Sequence, residues 1–291
     1  MSHFLTLIAQ REAAVLSPPM IARVRDAVGG GTPDVLSPGE AIDITVSKAP
    51  DIATVLSALE GAAIDAIATV AAERRKALLI ADMDSTIVTG ETLDELADFA
   101  GLKQRVAAIT ARAMNGELDF KAALRERVAM LQGLPVGALE QTWLRVRLTP
   151  GARELVATMR AHGAYAALVS GGFSFFTGRV AALCGFDMHR SNTLLDDGTA
   201  LTGRVAEPIL DRDTKLATLT QLAAERGLPL SATLAVGDGA NDLDMLSAAG
   251  LGVAFRAKPV VAAAARARVD HADLRALLFA QGYRAGQFVV D

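Results

Sequence analysis

The stretch of sequence that decides the fold is ALLIADMDST, residues 77–86. Its first five residues are all apolar, which is typical of a strand that is buried on both faces of a sheet. Asp82 and Asp84 follow directly, and in an extended chain two residues at this spacing point in the same direction. The stretch therefore predicts a buried strand ending in two neighbouring carboxylates, although a turn in which Asp84 or Ser85 caps the next helix fits it as well.

Two later strands have the same design. Tyr165–Val169 runs into the polar segment Ser170–Ser174, and Thr233–Val236 runs into Gly237–Asp242. Strands that alternate with helices form a mostly parallel sheet with helices on both faces, and ligands bind where its strands end. We therefore predict an α/β fold with a doubly wound, mostly parallel sheet. The long helical insertion between the first two strands, at about residues 88–148, predicts a cap over that edge.

Smaller elements are predicted on either side of this core. Residues 1–74 have a strand–helix–strand–helix–strand order that resembles the amino-acid-binding ACT domain. We therefore predict a small N-terminal α/β domain, followed by the main domain at residues 75–291. Towards the C-terminus, Asp197–Gly198 predicts a hairpin, and helices are predicted at Asp213–Arg226, Lys258–Arg268 and Ala272–Gln281.

The composition excludes several classes of protein. The 291 residues carry a net charge of −4 and contain no long basic run, which argues against nucleic acid as a partner. With one cysteine and four dispersed histidines, a bound metal would need oxygen ligands. No apolar run reaches the length of about 18 residues that a transmembrane helix needs, and residues 1–12 lack the features of a secretory signal. We therefore expect a soluble, cytoplasmic protein that does not act at a membrane.

Polar groups after the second and third strands add candidate chemistry. Ser170–Gly171–Gly172 offers a hydroxyl and free backbone N–H groups to an anion. Gly237–Asp242 (GDGAND) adds two carboxylates and an amide. Lys215 lies in the first turn of its helix, where a nearby anion would offset the unfavourable helix dipole. Each feature has an ordinary alternative: a strand-to-helix turn, a helix cap by Asn241 or Asp242, and a solvated lysine.

The order of these motifs resembles the haloacid dehalogenase (HAD) superfamily and, within it, the phosphoserine phosphatase family. The resemblance rests on DMDST (residues 82–86) followed by Glu91, on SGGF (170–173), on Lys215 and on GDGAND (237–242). It extends from about residue 77 to the C-terminus. It implies a HAD-like core and Mg²⁺-dependent hydrolysis of O-phospho-L-serine through an aspartyl-phosphate, which is the last step of serine biosynthesis. A homodimer is compatible with it.

The resemblance also implies a role for each matching residue. Asp82 matches the nucleophile, and Asp84 matches the acid that protonates the leaving oxygen and then activates water. Asp82, Asp84 through its backbone carbonyl, and Asp238 match the Mg²⁺ ligands, with Asp242 beside them. The residues that match substrate-binding groups are Ser170, Gly171, Lys215 and Asn241 around the phosphate, Glu91 and Arg127 at the ammonium and carboxylate, and Met114 and Phe120 in the pocket wall.

Other interpretations remain open from the residues alone. A phosphotransferase, or a phosphatase of another small phosphomonoester, would use the same core. A phospho-acceptor signalling domain also combines clustered aspartates with Mg²⁺, but it leaves the helical cap unexplained. Arg127 taken by itself fits a solvated position on an amphipathic helix, paired with Glu126 or Glu117.

Overall fold

The computed structural model describes residues 2–11 and 15–289. Within these ranges the strands form a six-stranded sheet, a four-stranded sheet and a two-stranded hairpin, and no helix has the length and apolar character needed to cross a membrane. The strands are β1 (His3–Ala9), β2 (Asp34–Ser37), β3 (Ala41–Val46), β4 (Ile64–Val70), β5 (Leu78–Ala81), β6 (Tyr165–Phe173), β7 (Met188–Asn192), β8 (Leu194–Asp196), β9 (Leu201–Val205), β10 (Thr233–Gly237), β11 (Leu251–Phe255) and β12 (Ala267–Val269). The helices are α1 (Pro18–Val28), α2 (Ile52–Leu59), α3 (Thr92–Asp98), α4 (Lys103–Met114), α5 (Phe120–Ala129), α6 (Gly137–Trp143), α7 (Ala152–Ala161), α8 (Ser174–Cys184), α9 (Arg212–Glu225), α10 (Leu243–Ala248), α11 (Pro259–Ala264) and α12 (Ala276–Ala280).

The six-stranded sheet has the order β12-β11-β10-β5-β6-β7, and every neighbouring pair is parallel. Alternate residues of β5 face opposite sides of it. Leu78 and Ile80 pack in one hydrophobic cluster with α9 and α10, whereas Leu79 packs in another with α7 and α8. Because helices cover both faces, the predicted α/β fold class with a doubly wound parallel sheet is confirmed.

The polar segments singled out in the sequence leave this sheet along one edge. Ala81 at the end of β5 pairs with Leu168 of β6 on one side and with Val236 of β10 on the other, so the three carboxyl ends lie next to one another. Helices α3–α6 form an insertion. The segments that enter and leave it pair with each other through an antiparallel bridge between Val88 and Leu148. The insertion begins just after Asp84, which places it over this edge as a helical cap.

The four-stranded sheet is antiparallel, with the order β2-β3-β1-β4. Together with α1 and α2 it has the βαββαβ connectivity of ferredoxin-like folds. The sequence predicts three of its strands and misses β2, because those four residues begin with Asp34 and follow a glycine-rich loop. Helices α1 and α2 cover one face, while Ile8, Ala41 and Ile67 on the other face join the core around α12. The resemblance to an ACT domain stays a prediction.

Buried polar contacts also join the two sheets. The carboxylate of Asp65 in β4 accepts the backbone N–H groups of Asp270 and Ala272, each at 2.8 Å. Arg74 forms a buried ion pair with Asp43 at 2.6 Å and donates to the carbonyl oxygen of Ala280. These contacts fix the N-terminal sheet against the C-terminal end of the chain.

Two predictions near the C-terminus are wrong in part. The predicted helix Lys258–Arg268 is the shorter α11 followed by β12, because its last residues pair with β11 at the edge of the parallel sheet. The predicted amphipathic helix Ala272–Gln281 is helical only in α12, where every residue is buried. The N-terminal sheet covers the side of α12 that a free amphipathic helix would turn to solvent.

Candidate active site

The turn after β5 positions both aspartates of the DMDST motif. The backbone N–H of Asp82 continues the sheet by donating to the carbonyl oxygen of Val236. Ser85 then takes a left-handed backbone conformation, with φ of 55°, which turns the chain sharply towards the cap. The carboxylate of Asp84 accepts the N–H of Thr92 at the start of α3 at 2.9 Å. This bond anchors the start of α3, although the N-cap residue of that helix is Glu91 and not Asp84.

Lys215 lies behind Asp82 and is buried, so the alternative of a solvated lysine is wrong. Its Nζ is 2.8 Å from Oδ1 of Asp82 and 2.6 Å from Oδ1 of Asp242. The helix that carries it, α9, begins with Asp211 as N-cap in a reciprocal capping arrangement with Thr214. Two carboxylates therefore compensate a buried ammonium that the helix dipole alone would disfavour.

Burial dominates the electrostatics of the aspartates. It raises the pKa of Asp82 to about 7, an effect that Lys215 opposes and Asp242 reinforces. Burial, with the negative charge of Glu91 as the next cause, raises the pKa of Asp84 and of Asp238 well above the usual range. Burial by itself lowers the pKa of Lys215, but Asp242 and Asp82 outweigh it and raise that pKa above its ordinary value. The cluster carries more negative charge than its lysine balances.

Asp82, Asp238 and Asp242 form a group of buried carboxylates with oxygens within 4.8 Å of one another. Asp242 is already engaged, because it binds Lys215 and accepts the N–H of Gly239 at 3.0 Å. Oδ2 of Asp238 is buried and accepts no hydrogen bond from the described residues, and the Nζ of the partly exposed Lys258 lies 3.6 Å from it. A buried carboxylate oxygen without a hydrogen bond, beside other oxygen donors, fits a small divalent cation.

The SGG segment lies opposite these acids. The strand β6 runs through it to Phe173, and α8 begins at Ser174. Pairing with β7 is interrupted between Val169 and Phe173, and this leaves the segment outside the regular ladder. A Cβ at Gly172 would lie 2.6 Å from Oδ2 of Asp84, and one at Gly171 would lie 2.6 Å from Cζ of Phe120. A side chain at either position would therefore displace Asp84 or Phe120.

Arg127 reaches the same place from the cap. It is buried rather than solvated, and its partners are not Glu126 or Glu117. Its Nε donates to the carbonyl oxygen of Ala123, and its Nη1 donates to Oγ1 of Thr110 at 2.9 Å. Glu91, also from the cap side, accepts the hydroxyl of Ser85 at 2.6 Å. The cap thus brings one cation and one anion to the edge of the sheet.

One cavity of about 30 Å³ gathers most of the predicted site residues. Its lining includes Asp82, Asp84, Glu91, Met114, Phe120, Arg127, Ser170, Gly171, Asp238 and Asn241. Lys215 and Asp242 lie behind Asp82 and do not line it. Its wall also contains Leu93 and Leu124, which the sequence motifs do not include. Leu124 was detectable, because Phe120, Leu124 and Arg127 lie on one face of a helix at spacings of four and three.

The sheet, the aspartates at the end of β5 and the helical cap define a class of hydrolase. The family model of the haloacid dehalogenase-like hydrolases matches residues 79–247. The chain belongs to that family.

Its similarity extends to phosphoserine phosphatases. The phosphoserine phosphatase of Streptomyces coelicolor is 46% identical over 229 residues, which are 77% of this chain and 56% of that protein. That of Streptococcus thermophilus is 47% identical over 199 residues, which are 68% of this chain and 93% of the relative. A solved structure described as a phospho-aspartyl intermediate analogue of phosphoserine phosphatase is 39% identical, with a TM-score of 0.67 over 70% of this chain and 98% of that one. The resemblance stated from the motifs is confirmed, although the chain spans only slightly more than half the length of the Streptomyces relative.

Proposed function

We propose that this protein hydrolyses O-phospho-L-serine to L-serine and inorganic phosphate through an aspartyl-phosphate on Asp82. The observation that carries the proposal is the pairing of charges in one cavity. Asp82 and Asp84 lie at its floor, and Arg127 and Glu91 reach it from the cap. The positive charge of Arg127 complements the carboxylate of phosphoserine, and the negative charge of Glu91 complements its ammonium.

In the first step a carboxylate oxygen of Asp82 attacks phosphorus, and the bond from phosphorus to the serine oxygen breaks. Asp84 gives its proton to that oxygen, and burial raises its pKa in the direction that this role requires. In the second step Asp84 takes a proton from water as the water oxygen attacks phosphorus. The bond to Asp82 then breaks and releases phosphate, so that both residues return to their initial state.

The other predicted residues serve positioning and charge balance. Lys215 is held by ion pairs to Asp82 and to Asp242, so its positive charge lies directly behind the nucleophile and offsets negative charge there. Asp82 and Asp238, with the backbone carbonyl of Asp84, would hold Mg²⁺, which supplies further neutralisation of the phosphate. Ser170, Gly171 and Asn241 line the cavity where the phosphate would bind. A cavity of about 30 Å³ holds about two waters, so the cap must open to admit substrate.

Phosphate release from matched phosphomonoesters tests the proposal. We expect kcat/KM to be at least about tenfold higher for phosphoserine than for phosphoethanolamine, which lacks the carboxylate, or 3-phosphoglycerate, which has a hydroxyl in place of the ammonium. Similar values for all three compounds would assign a different phosphomonoester as substrate. Transfer of the phosphoryl group to an added alcohol in preference to water would instead indicate a phosphotransferase.

We expect Mg²⁺ to restore activity after treatment with a chelator and Ca²⁺ to restore less than about a tenth of it. The larger ion accepts 6–8 flexible ligands and would engage both oxygens of Asp82. Mg²⁺ should also raise the melting temperature of the wild type, and Asp238→Asn should abolish that shift, because binding to the folded state stabilises it. Full activity of the metal-free protein, or an unchanged shift in the variant, would contradict the assignment.

The role in serine biosynthesis, the cytoplasmic location and a homodimer are not needed for this chemistry and stay predictions. The boundaries of the predicted domains, at residues 1–74 and 75–291, stay predictions as well.

A further inference from the structure

A chain of polar contacts inside the cap ends at Arg127. Its members come from three helices: Asp94 from α3, Thr110 from α4 and Arg127 from α5. The hydroxyl of Thr110 donates to Oδ1 of Asp94 at 2.7 Å and accepts from Nη1 of Arg127 at 2.9 Å. All three side chains are buried, with exposed fractions of 9%, 3% and 3%.

The direction of these bonds follows from what each group can offer. A guanidinium only donates, and an ionised carboxylate only accepts, so the hydroxyl between them must do both. Thr110 has a second possible acceptor, the carbonyl oxygen of Val106, but it is farther away at 3.1 Å. The bond to Asp94 is shorter and charge-assisted, and it orients an oxygen lone pair of Thr110 towards Arg127.

Arg127 needs such a fixed partner because its side chain is long and has many rotamers. Nε is tied to Ala123 on its own helix, and Nη1 is tied to Thr110 on the neighbouring helix. Among the described residues no hydrogen bond involves Nη2. The two anchors therefore leave one edge of the guanidinium to face the cavity that Arg127 lines.

We infer that Thr110, oriented by Asp94, is a positioning residue that holds the guanidinium of Arg127 ready for the carboxylate of the substrate. The inference rests on the proposed function, because it concerns the group that Arg127 binds. Thr110 does not line the cavity, so it acts through Arg127 and not on the substrate directly.

Thr110→Val tests this, because valine keeps the shape of the side chain and removes the hydroxyl. We expect kcat/KM for phosphoserine to fall about tenfold, mainly through KM, since a hydrogen bond to a charged group is lost. The rate on phosphoethanolamine should fall far less. Thr110→Ser should restore most of the loss on phosphoserine, because it restores the hydroxyl.

Thr142→Val is the matched control. Thr142 is a buried threonine in the cap helix α6, and its hydroxyl bonds to the carbonyl oxygen of Ala138 four residues earlier. Among the described residues no hydrogen bond joins it to Arg127, so its replacement should leave the preference for phosphoserine unchanged.

A double-mutant cycle separates positioning from general support of the cap. If Thr110 acts through Arg127, Thr110→Val should add no further loss on phosphoserine in an Arg127→Ala background. Additive losses, or equal losses on phosphoserine and phosphoethanolamine from Thr110→Val, would overturn the inference. A wild type that does not prefer phosphoserine to phosphoethanolamine would instead remove the proposed function, so the two failures are distinguishable.

Discussion

Asp82→Asn is expected to lower kcat by at least about a thousandfold while leaving the protein folded. An amide has nearly the shape of the carboxylate, but it cannot attack phosphorus as an anion. The backbone of residue 82 is held by its bond to Val236, which the substitution does not touch. Lys215 keeps its ion pair with Asp242 at 2.6 Å, so no buried cation is left without a partner.

The measurement is steady-state phosphate release from phosphoserine, together with acid quenching to trap a covalent phosphoprotein. The wild type should give an acid-stable, hydroxylamine-sensitive phosphoprotein, as an acyl phosphate would, and the variant should give none. Circular dichroism and the melting temperature report whether the variant is folded. Retention of more than about a tenth of the turnover in a folded variant would rule out Asp82 as the nucleophile.

Much of this site can be predicted from local sequence, because its main residues lie at or near the ends of strands. An apolar run followed by Asp82 and Asp84 is typical of a buried strand that delivers polar groups to one edge of a parallel sheet. The same reasoning applies to Ser170 in the last half of β6 and to Asp238 after β10. Neighbouring parallel strands bring such groups together at one edge of the sheet, so no long-range side-chain contact has to be predicted from the sequence.

The errors occur where distant segments meet. The alanine-rich segment before Arg268 favours a helix by propensity, yet its end becomes β12 because β11 offers an unpaired strand edge. α12 is buried all round because the N-terminal sheet covers it. The hydrophobic periodicity of β12 does not reveal its pairing with β11, and that of α12 does not reveal the sheet that covers it.

The contacts of Arg127 show the same limit inside the cap. Helical periodicity places Arg127 on one face with Phe120, but it does not say whether water or protein covers that face. The answer depends on how α4 packs beside α5, which brings Thr110 within 2.9 Å of the guanidinium. Asp94 and Thr110 therefore had no signal in the sequence, although both are buried beside a predicted site residue.

Arg127→Ala is expected to lower kcat/KM for phosphoserine by about 2–4 kcal/mol, or about 30- to 1,000-fold. The guanidinium is desolvated inside the cap, where a carboxylate that pairs with it gains more than it would in water. Burial lowers the pKa of Arg127, and the nearby acids Asp94 and Glu91 oppose that effect and so favour the charged guanidinium. Alanine removes the positive charge and the N–H groups of the guanidinium edge that faces the cavity.

The control substrates decide what the loss means. Phosphoethanolamine keeps the phosphate and the ammonium but lacks the carboxylate, and an aryl phosphate lacks both charges, so the variant should lose far less on either. Equal losses on all three would show that Arg127 supports the closed cap or the phosphate. Loss on none of them would leave the buried guanidinium with a purely structural role, and would remove the feature of the cap that favours phosphoserine over other phosphomonoesters.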